Sequence, residues 1–284
     1  MIRTLDASML NLPWSALDLI PEAASRGFQA VSLTPDLLED PLRAKKAGET
    51  ARACGIGFGL LPMPADFYHW ELDDAEFEKA LEELKRRAAV AEKLGAKTAY
   101  NHVWPAGTRE FDENFLWHAG RIRKVGEILR DYGVRYGLEF LGPHELRTLA
   151  PHAFVHSLDG VLSLADAAGG TAGIAFDVYH WYTSAGGEEK DLLTVEEKID
   201  RLVCVHLNDA PAGIPYDRQK DMQRRFPMET GVIDSRAILN RFRKKGTDAL
   251  YMIEPFEPGR TIFRSLSPAE AAARAEEILL RVEG

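Results

Sequence analysis

Short apolar runs alternate along the whole chain with longer stretches whose apolar residues recur every three or four positions. Residues 2–8 read as a first strand. Residues 13–26 predict a helix, with Leu17, Ile20, Ala23 and Ala24 on one face and Gly27 placed to end it. A second apolar run lies at 30–33. Residues 40–53 predict a helix that opens Asp40-Pro41, with the proline at the first helical position. A third strand at 56–61 is bounded by Pro62 and Pro64. Residues 73–94 carry a strong helical stripe, Phe77, Leu81, Leu84, Ala88 and Ala91, closed by Gly95. A fourth strand at 97–101 leads into His102, Val103 and Trp104, and a helix over 111–132 is closed by Gly133.

A repeating cycle of strand, helix and glycine marks βαβ units. Right-handed crossovers wind such units into a barrel or an open sheet. About eight strands in 284 residues favour the barrel. The expected fold is therefore α/β, a (β/α)8 TIM barrel, with residues 1–284 forming one domain. An open doubly wound sheet is the alternative. No G-x-G-x-x-G follows the first strand, so a dinucleotide-binding fold has no support.

The chemistry concentrates in the second half. Residues 174–182 read I-A-F-D-V-Y-H-W-Y, an apolar run ending in Asp177 with His180 three positions on. Taken alone, an Asp in that place more often caps the next helix. The pattern recurs, however. R-Y-G-L-E-F at 135–140 carries Glu139 near its end, L-V-C-V-H-L-N at 202–208 carries His206, and A-L-Y-M-I-E-P at 249–255 carries Glu254. Asp177 follows Glu139 by 38 residues, His206 follows by 29 and Glu254 by 48. A barrel uses roughly 30 residues per βα unit. The spacing thus assigns the four residues to strands five to eight, at the catalytic end of one barrel. Three converging carboxylates would repel one another, and a divalent cation removes that repulsion. Two Glu, one Asp and one His suit a single Mn, Co, Zn or Mg ion, preferred in that order.

Composition narrows the function classes. A net charge of −9 argues against general attraction to nucleic acid or an anionic membrane. No stretch of 18 apolar residues exists, and the first residues lack a signal-like apolar segment. Cys54 and Cys204 lie far apart in apolar surroundings, which predicts free thiols and a reducing, cytoplasmic setting. Two loops, 142–158 and 210–234, exceed the usual length and leave the catalytic end. Such loops tend to cover or bind substrate. The second carries Asp217, Arg218, Lys220, Asp221, Arg224 and Arg225. It reads either as a solvated surface loop or as one that brings an arginine, Arg224 by preference, to an anionic or polyhydroxy substrate. His102 and Trp104 follow strand four and are expected to line the pocket. Asp209 is placed on the substrate side as well, where its carboxylate would orient His206 or a loop amide.

L-E-F-L-G-P with Arg147 downstream, F-D-V-Y-H-W-Y, V-H-L-N-D-A-P, P-M-E-T-G-V-I-D and I-E-P-F together resemble the xylose isomerase-like TIM barrels, and within them the sugar phosphate isomerase/epimerase group. The resemblance covers residues 137–256 well and the N-terminal half by element order alone. It implies that Glu139, Asp177, His206 and Glu254 bind one metal ion, that Glu139 and Glu254 also flank the reacting carbon and move its proton, and that His180 binds a substrate oxygen. One departure is Met228-Glu229-Thr230, where many relatives carry a glycine before the Glu. The leading expectation is a metal-dependent sugar isomerase or epimerase acting through an enediolate on a small carbohydrate, with strands five and eight facing each other across the mouth. A dehydratase of a cyclic polyol or dehydroshikimate-like acid would begin with the same proton abstraction. An apurinic endonuclease, with His69 and His102 as extra ligands, and a non-catalytic sugar-binding barrel are further alternatives. A homodimer is expected from the resemblance only.

Overall fold

In a computed structural model that describes all 284 residues, eight parallel strands run in the order β3-β2-β1-β8-β7-β6-β5-β4. They are β1 (Ile2–Leu5), β2 (Ala30–Val31), β3 (Gly57–Phe58), β4 (Thr98–Val103), β5 (Arg135–Phe140), β6 (Gly173–Asp177), β7 (Leu202–Leu207) and β8 (Leu250–Ile253). A parallel bridge between Leu60 and Thr98 joins β3 to β4 and closes the ring. The expected barrel is therefore the observed one. No helix is long and apolar enough to cross a membrane.

The helices are α1 (Ala16–Ser25), α2 (Pro35–Glu39), α3 (Pro41–Cys54), α4 (Asp74–Leu94), α5 (Phe111–Asp131), α6 (Leu158–Ala167), α7 (Val178–Ala185), α8 (Glu189–Glu197), α9 (Ser235–Lys244), α10 (Gly259–Arg264) and α11 (Pro268–Glu283). Their ends follow from local chemistry. Ser15 with Asp18, and Asp73 with Glu76, form capping boxes at the starts of α1 and α4. Gly95 ends α4 in the left-handed conformation at φ 79°. The buried faces of α1, α4, α5 and α11 pack on the outside of the strands in one continuous apolar layer. A separate small cluster that includes Met9, Leu60, Val203, Leu250 and Met252 fills the barrel interior.

The early strands are shorter than their apolar runs. Residues 56–61 were expected as one strand, yet ladder pairing stops at Phe58. The next residue, Gly59, is crowded from inside. A Cβ there would lie 2.6 Å from Thr4 Cγ2. Ser32 Oγ then accepts the Leu60 N–H at 3.1 Å in place of a backbone partner. Backbone bonds continue on either side, from Gly59 N to Val31 O and from Leu33 N to Leu60 O, both at 2.9 Å, so one side-chain bond interrupts the ladder where a Cβ would not fit. In residues 174–182 the strand ends at Asp177 and the helix α7 begins at once.

Both long loops are ordered by specific contacts. The 142–158 loop contains a short helical turn, His144–Thr148, and a two-residue antiparallel ladder that pairs His152–Ala153 with Ala106–Gly107. The 210–234 loop is clamped by Asp209. Its Oδ1 accepts from Ala210 N and Ile233 N, and its Oδ2 accepts from Thr230 N and Gly231 N, all within 2.8–2.9 Å. Asp209 and Arg225 also exchange backbone hydrogen bonds. Replacing Asp209 by Ala strands four buried or half-buried amides and should lower stability by about 3 kcal/mol. A urea titration checks this, and an unchanged midpoint would remove the clamp assignment.

Candidate active site

The four expected ligand residues converge. Glu139 is the penultimate residue of β5, Asp177 the last of β6, His206 the penultimate of β7, and Glu254 follows β8 directly. One ligand atom from each lies within 4.8 Å of all the others, and all four residues are buried. His206 Nδ1 stands between the two glutamates, 2.9 Å from Glu139 Oε1 and 3.8 Å from Glu254 Oε2. Its other nitrogen faces Cys204 Sγ at 3.6 Å. The expectation that β5 and β8 face each other across the mouth is corrected: β6 and β7 lie between them, about a third of the ring. The glutamates approach each other by their side chains around His206.

Asp177 serves the helix and the cluster together. Oδ1 accepts from Tyr179 N at 2.6 Å and His180 N at 2.9 Å, capping α7. Oδ2 accepts from Asn208 Nδ2 at 2.9 Å and Arg224 Nη1 at 3.0 Å. The capping reading and the site reading are both satisfied, one by each oxygen. Burial among other carboxylates raises this carboxyl to about 6, although Arg224 and His180 pull the other way.

Arg224 is the loop arginine that enters the barrel. The Asp209–Arg225 backbone pairing holds its neighbour at the rim, and Arg224 itself is only 1% exposed. Its Nη1 reaches Asp177 Oδ2 and Glu254 Oε2 at 3.0 and 2.9 Å, and its Nη2 reaches Asp221 Oδ1 at 2.8 Å. Burial works against its charge, but Asp177, Asp221 and Glu254 outweigh it and raise the guanidinium's pKa.

His180 is buried with both ring nitrogens engaged. Nδ1 accepts the Gly142 N–H at 3.2 Å, and Nε2 lies 3.1 Å from Arg224 Nη2. Burial lowers its pKa despite Asp177, so the ring is neutral. A neutral imidazole accepts at one nitrogen and donates from the other. Gly142 N–H is aimed at Nδ1 and Arg224 Nη2–H at Nε2, so the ring is held between two donors at the edge of the cavity.

His102 Nε2 stands 3.2 Å from Glu139 Oε2, off the hydrogen-bonding direction, so that buried oxygen has no hydrogen-bond partner. Burial opposes the charge on His102, yet Glu139 holds the imidazole up at about 9. Burial likewise opposes the Glu139 charge, but His206 and His102 hold it well below the usual carboxylate range. Trp104 donates from Nε1 to Asp66 Oδ2 at 2.5 Å. Together with His102, His180, Arg224 and Glu254 it lines a cavity of about 320 Å³.

For Asp209 the loop-amide alternative is the one observed, and its placement on the substrate side is corrected. Its oxygens are occupied by four loop amides and it is fully buried, so it holds the loop rather than meeting substrate. His69 stacks on Trp70 with ring centres 4.2 Å apart and is not part of the four-residue cluster. Among the cavity residues not assigned to the site from the sequence are Asp221, Phe256 and Arg260. The D-x-x-R spacing of Asp221 and Arg224 was the available signal for the first.

The donor set fits a divalent ion. Three carboxylates and one imidazole nitrogen converge in a buried space, and Glu139 Oε2 lacks a hydrogen-bond partner there. Fold and cluster together define a TIM barrel with a metal-type centre at the C-terminal strand ends. The model of the xylose isomerase-like TIM barrel family matches residues 20–281, and the chain belongs to that family. An inosose isomerase from Halalkalibacterium halodurans is 25% identical over 162 residues, 57% of this chain and 52% of that protein, so the match spans about half of that relative. The fold is shared with the IOLI protein bearing a bound zinc atom, at a TM-score of 0.76 with 19% identity over 99% and 98% of the two chains. It is shared also with a D-psicose 3-epimerase from Clostridium cellulolyticum H10 in complex with D-tagatose, at 0.72 with 13% identity over 99% and 98%.

Proposed function

We propose that the protein is a divalent-metal-dependent isomerase or epimerase of a sugar or polyol ketone. The observation that carries this is the convergence of Glu139 and Glu254 around His206 Nδ1, with Asp177 beside them. These four residues would hold the ion. When bound, it supplies Lewis acidity to a carbonyl and its neighbouring hydroxyl, which acidifies the adjoining C–H. One glutamate removes that proton and the other returns it from its own side. His180 and Arg224, side by side on the cavity wall, would bind a substrate oxygen. Trp104 and Phe256 exclude water from the cavity walls. The zinc of the IOLI protein, the inosose isomerase activity of the curated relative and the ketohexose bound to the epimerase are consistent with this chemistry.

The test is proton exchange. The protein, loaded in turn with Mn, Co, Zn and Mg, is incubated in deuterated water with ketohexoses and inososes. Proton NMR should show metal-dependent loss of the C–H signal beside the carbonyl. No exchange on any compound with metal bound would sink the reading. Exchange accompanied by loss of water from the substrate would replace isomerisation with dehydration.

Metal content gives a second expectation. The purified protein should hold about one equivalent of divalent ion by plasma mass spectrometry. Chelation should lower the melting temperature, because an ion at about 1,000 times its Kd adds roughly 4 kcal/mol to the folded state. An unchanged melting curve after verified removal would argue against the site.

A further inference from the structure

We propose that Arg260 forms a subsite for an anionic group on the substrate, a carboxylate or phosphate carried away from the carbons that exchange protons. The inference rests on the reading above for the position of those carbons.

The contrast between two arginines in one cavity carries it. Arg224 and Arg260 both line the cavity that contains Glu254. Their guanidinium carbons lie 4.2 and 3.8 Å from the centre of the same Phe256 ring. Arg224 meets Asp177, Asp221 and Glu254 at 3.0 Å or less. Arg260 meets no carboxylate within 4.0 Å, and the protein offers its side chain only the Met9 carbonyl, which accepts from Nε at 3.3 Å. Its two terminal nitrogens have no hydrogen-bond or ion-pair partner in the protein, and the residue lines the cavity. An arginine fork is built to grip two oxygens of one oxyanion, and stacking on an aromatic ring sets its plane.

The side chain is also held in place. Gly259, immediately before it, is so close to its surroundings that a Cβ would lie 2.8 Å from Pro255 Cβ and 3.0 Å from Phe226 Cζ. The start of α10 is thereby fixed against the end of β8. With Nε tied to the 6–12 loop and the ring of Phe256 beneath, the terminal N–H groups need little further ordering on binding. Burial disfavours the cation here, Glu254 offsets part of that and Arg224 adds to it, and an anion supplied by the substrate would give the guanidinium the close partner it lacks. The chain's net charge of −9 makes such a local cation more necessary for an anionic ligand.

The experiment has two arms on the full-length protein. The metal-loaded enzyme is assayed with a neutral ketohexose, its 6-phosphate and the matching ketohexuronate. In the wild type, kcat/KM for at least one anionic compound should exceed that for the neutral one by about tenfold or more, the size of a lost charge-assisted hydrogen bond. The ratio should collapse towards one in Arg260→Gln and take an intermediate value in Arg260→Lys, which keeps the charge without the fork. Which anion is preferred separates carboxylate from phosphate. In the second arm, sulfate is titrated calorimetrically into metal-free wild type and Arg260→Gln, whose folding is checked by circular dichroism. Sulfate should bind the variant about tenfold more weakly. A wild type that prefers the neutral ketose, or equal sulfate affinity in the two proteins, overturns the subsite while leaving the isomerase reading intact. Inactivity towards all three sugars overturns that reading, and the sulfate arm alone then decides the role of Arg260.

Discussion

Glu139→Gln and Glu254→Gln should each lower turnover by roughly 10²–10⁴-fold, the usual contribution of a proton-transfer group. Glutamine keeps the shape and one oxygen of each side chain but cannot take up or return a proton. Both residues are also placed to hold the ion, so loss of metal is the competing explanation. Glu139 tests the distinction more severely. Its Oε1 bonds His206 and its Oε2 lies near His102, so the amide disturbs two histidines as well as the centre. Metal content and turnover are therefore measured on the same samples. The proton-transfer roles require turnover to fall much further than metal occupancy at saturating ion. If both variants keep a tenth or more of wild-type turnover, the roles are wrong. If turnover and occupancy fall in step, the glutamates are ligands alone.

Gly142→Ala is expected to damage the fold and the site together. A Cβ at this position would lie 2.1 Å from the His180 carbonyl oxygen, 2.6 Å from Thr183 Oγ1 and 2.8 Å from Ser184 N. Two of these atoms are backbone within or bordering α7, so no side-chain rotation relieves the clash. Overpacking of this kind costs about 1–3 kcal/mol, sometimes more. Relief requires the segment after β5 or the helix α7 to move. Either movement breaks the Gly142 N–H bond that sets the His180 ring and shifts Asp177, the cap of that helix. The melting temperature should fall by several degrees, and KM should rise more than kcat falls, because His180 is assigned to binding. An alanine variant with wild-type melting and kinetics would show that the contact is not rigid.

The parallel between these two variants shows how far the sequence reaches. The four-residue cluster was legible because strands five to eight each end in an apolar run with one Glu, Asp or His, and a parallel barrel brings all its strand ends to one face. Helices α3, α4 and α5 were legible for a local reason: proline, capping residues and glycines mark their ends, and one-sided apolar stripes mark their faces. Among the eight charged residues of the 210–234 loop, sequence offered only a preference for Arg224. The Asp209–Arg225 pairing, between residues 16 positions apart, decided it.

Residue type, spacing and periodicity therefore determined the barrel, the order of its elements and the four residues at its centre, because each depends on near neighbours or on a regular repeat. Tertiary structure alone decided which oxygen of Asp177 caps α7 and which faces the cluster, that Asp209 clamps a loop, and that the ladder beside Gly59 is interrupted by Ser32. It also decided that Arg224 is matched by carboxylates while Arg260, on the same phenylalanine, is not. A residue's charge is written in its side chain. Whether that charge is already neutralised depends on distances between strands far apart in the chain, and these exist only once the barrel has closed.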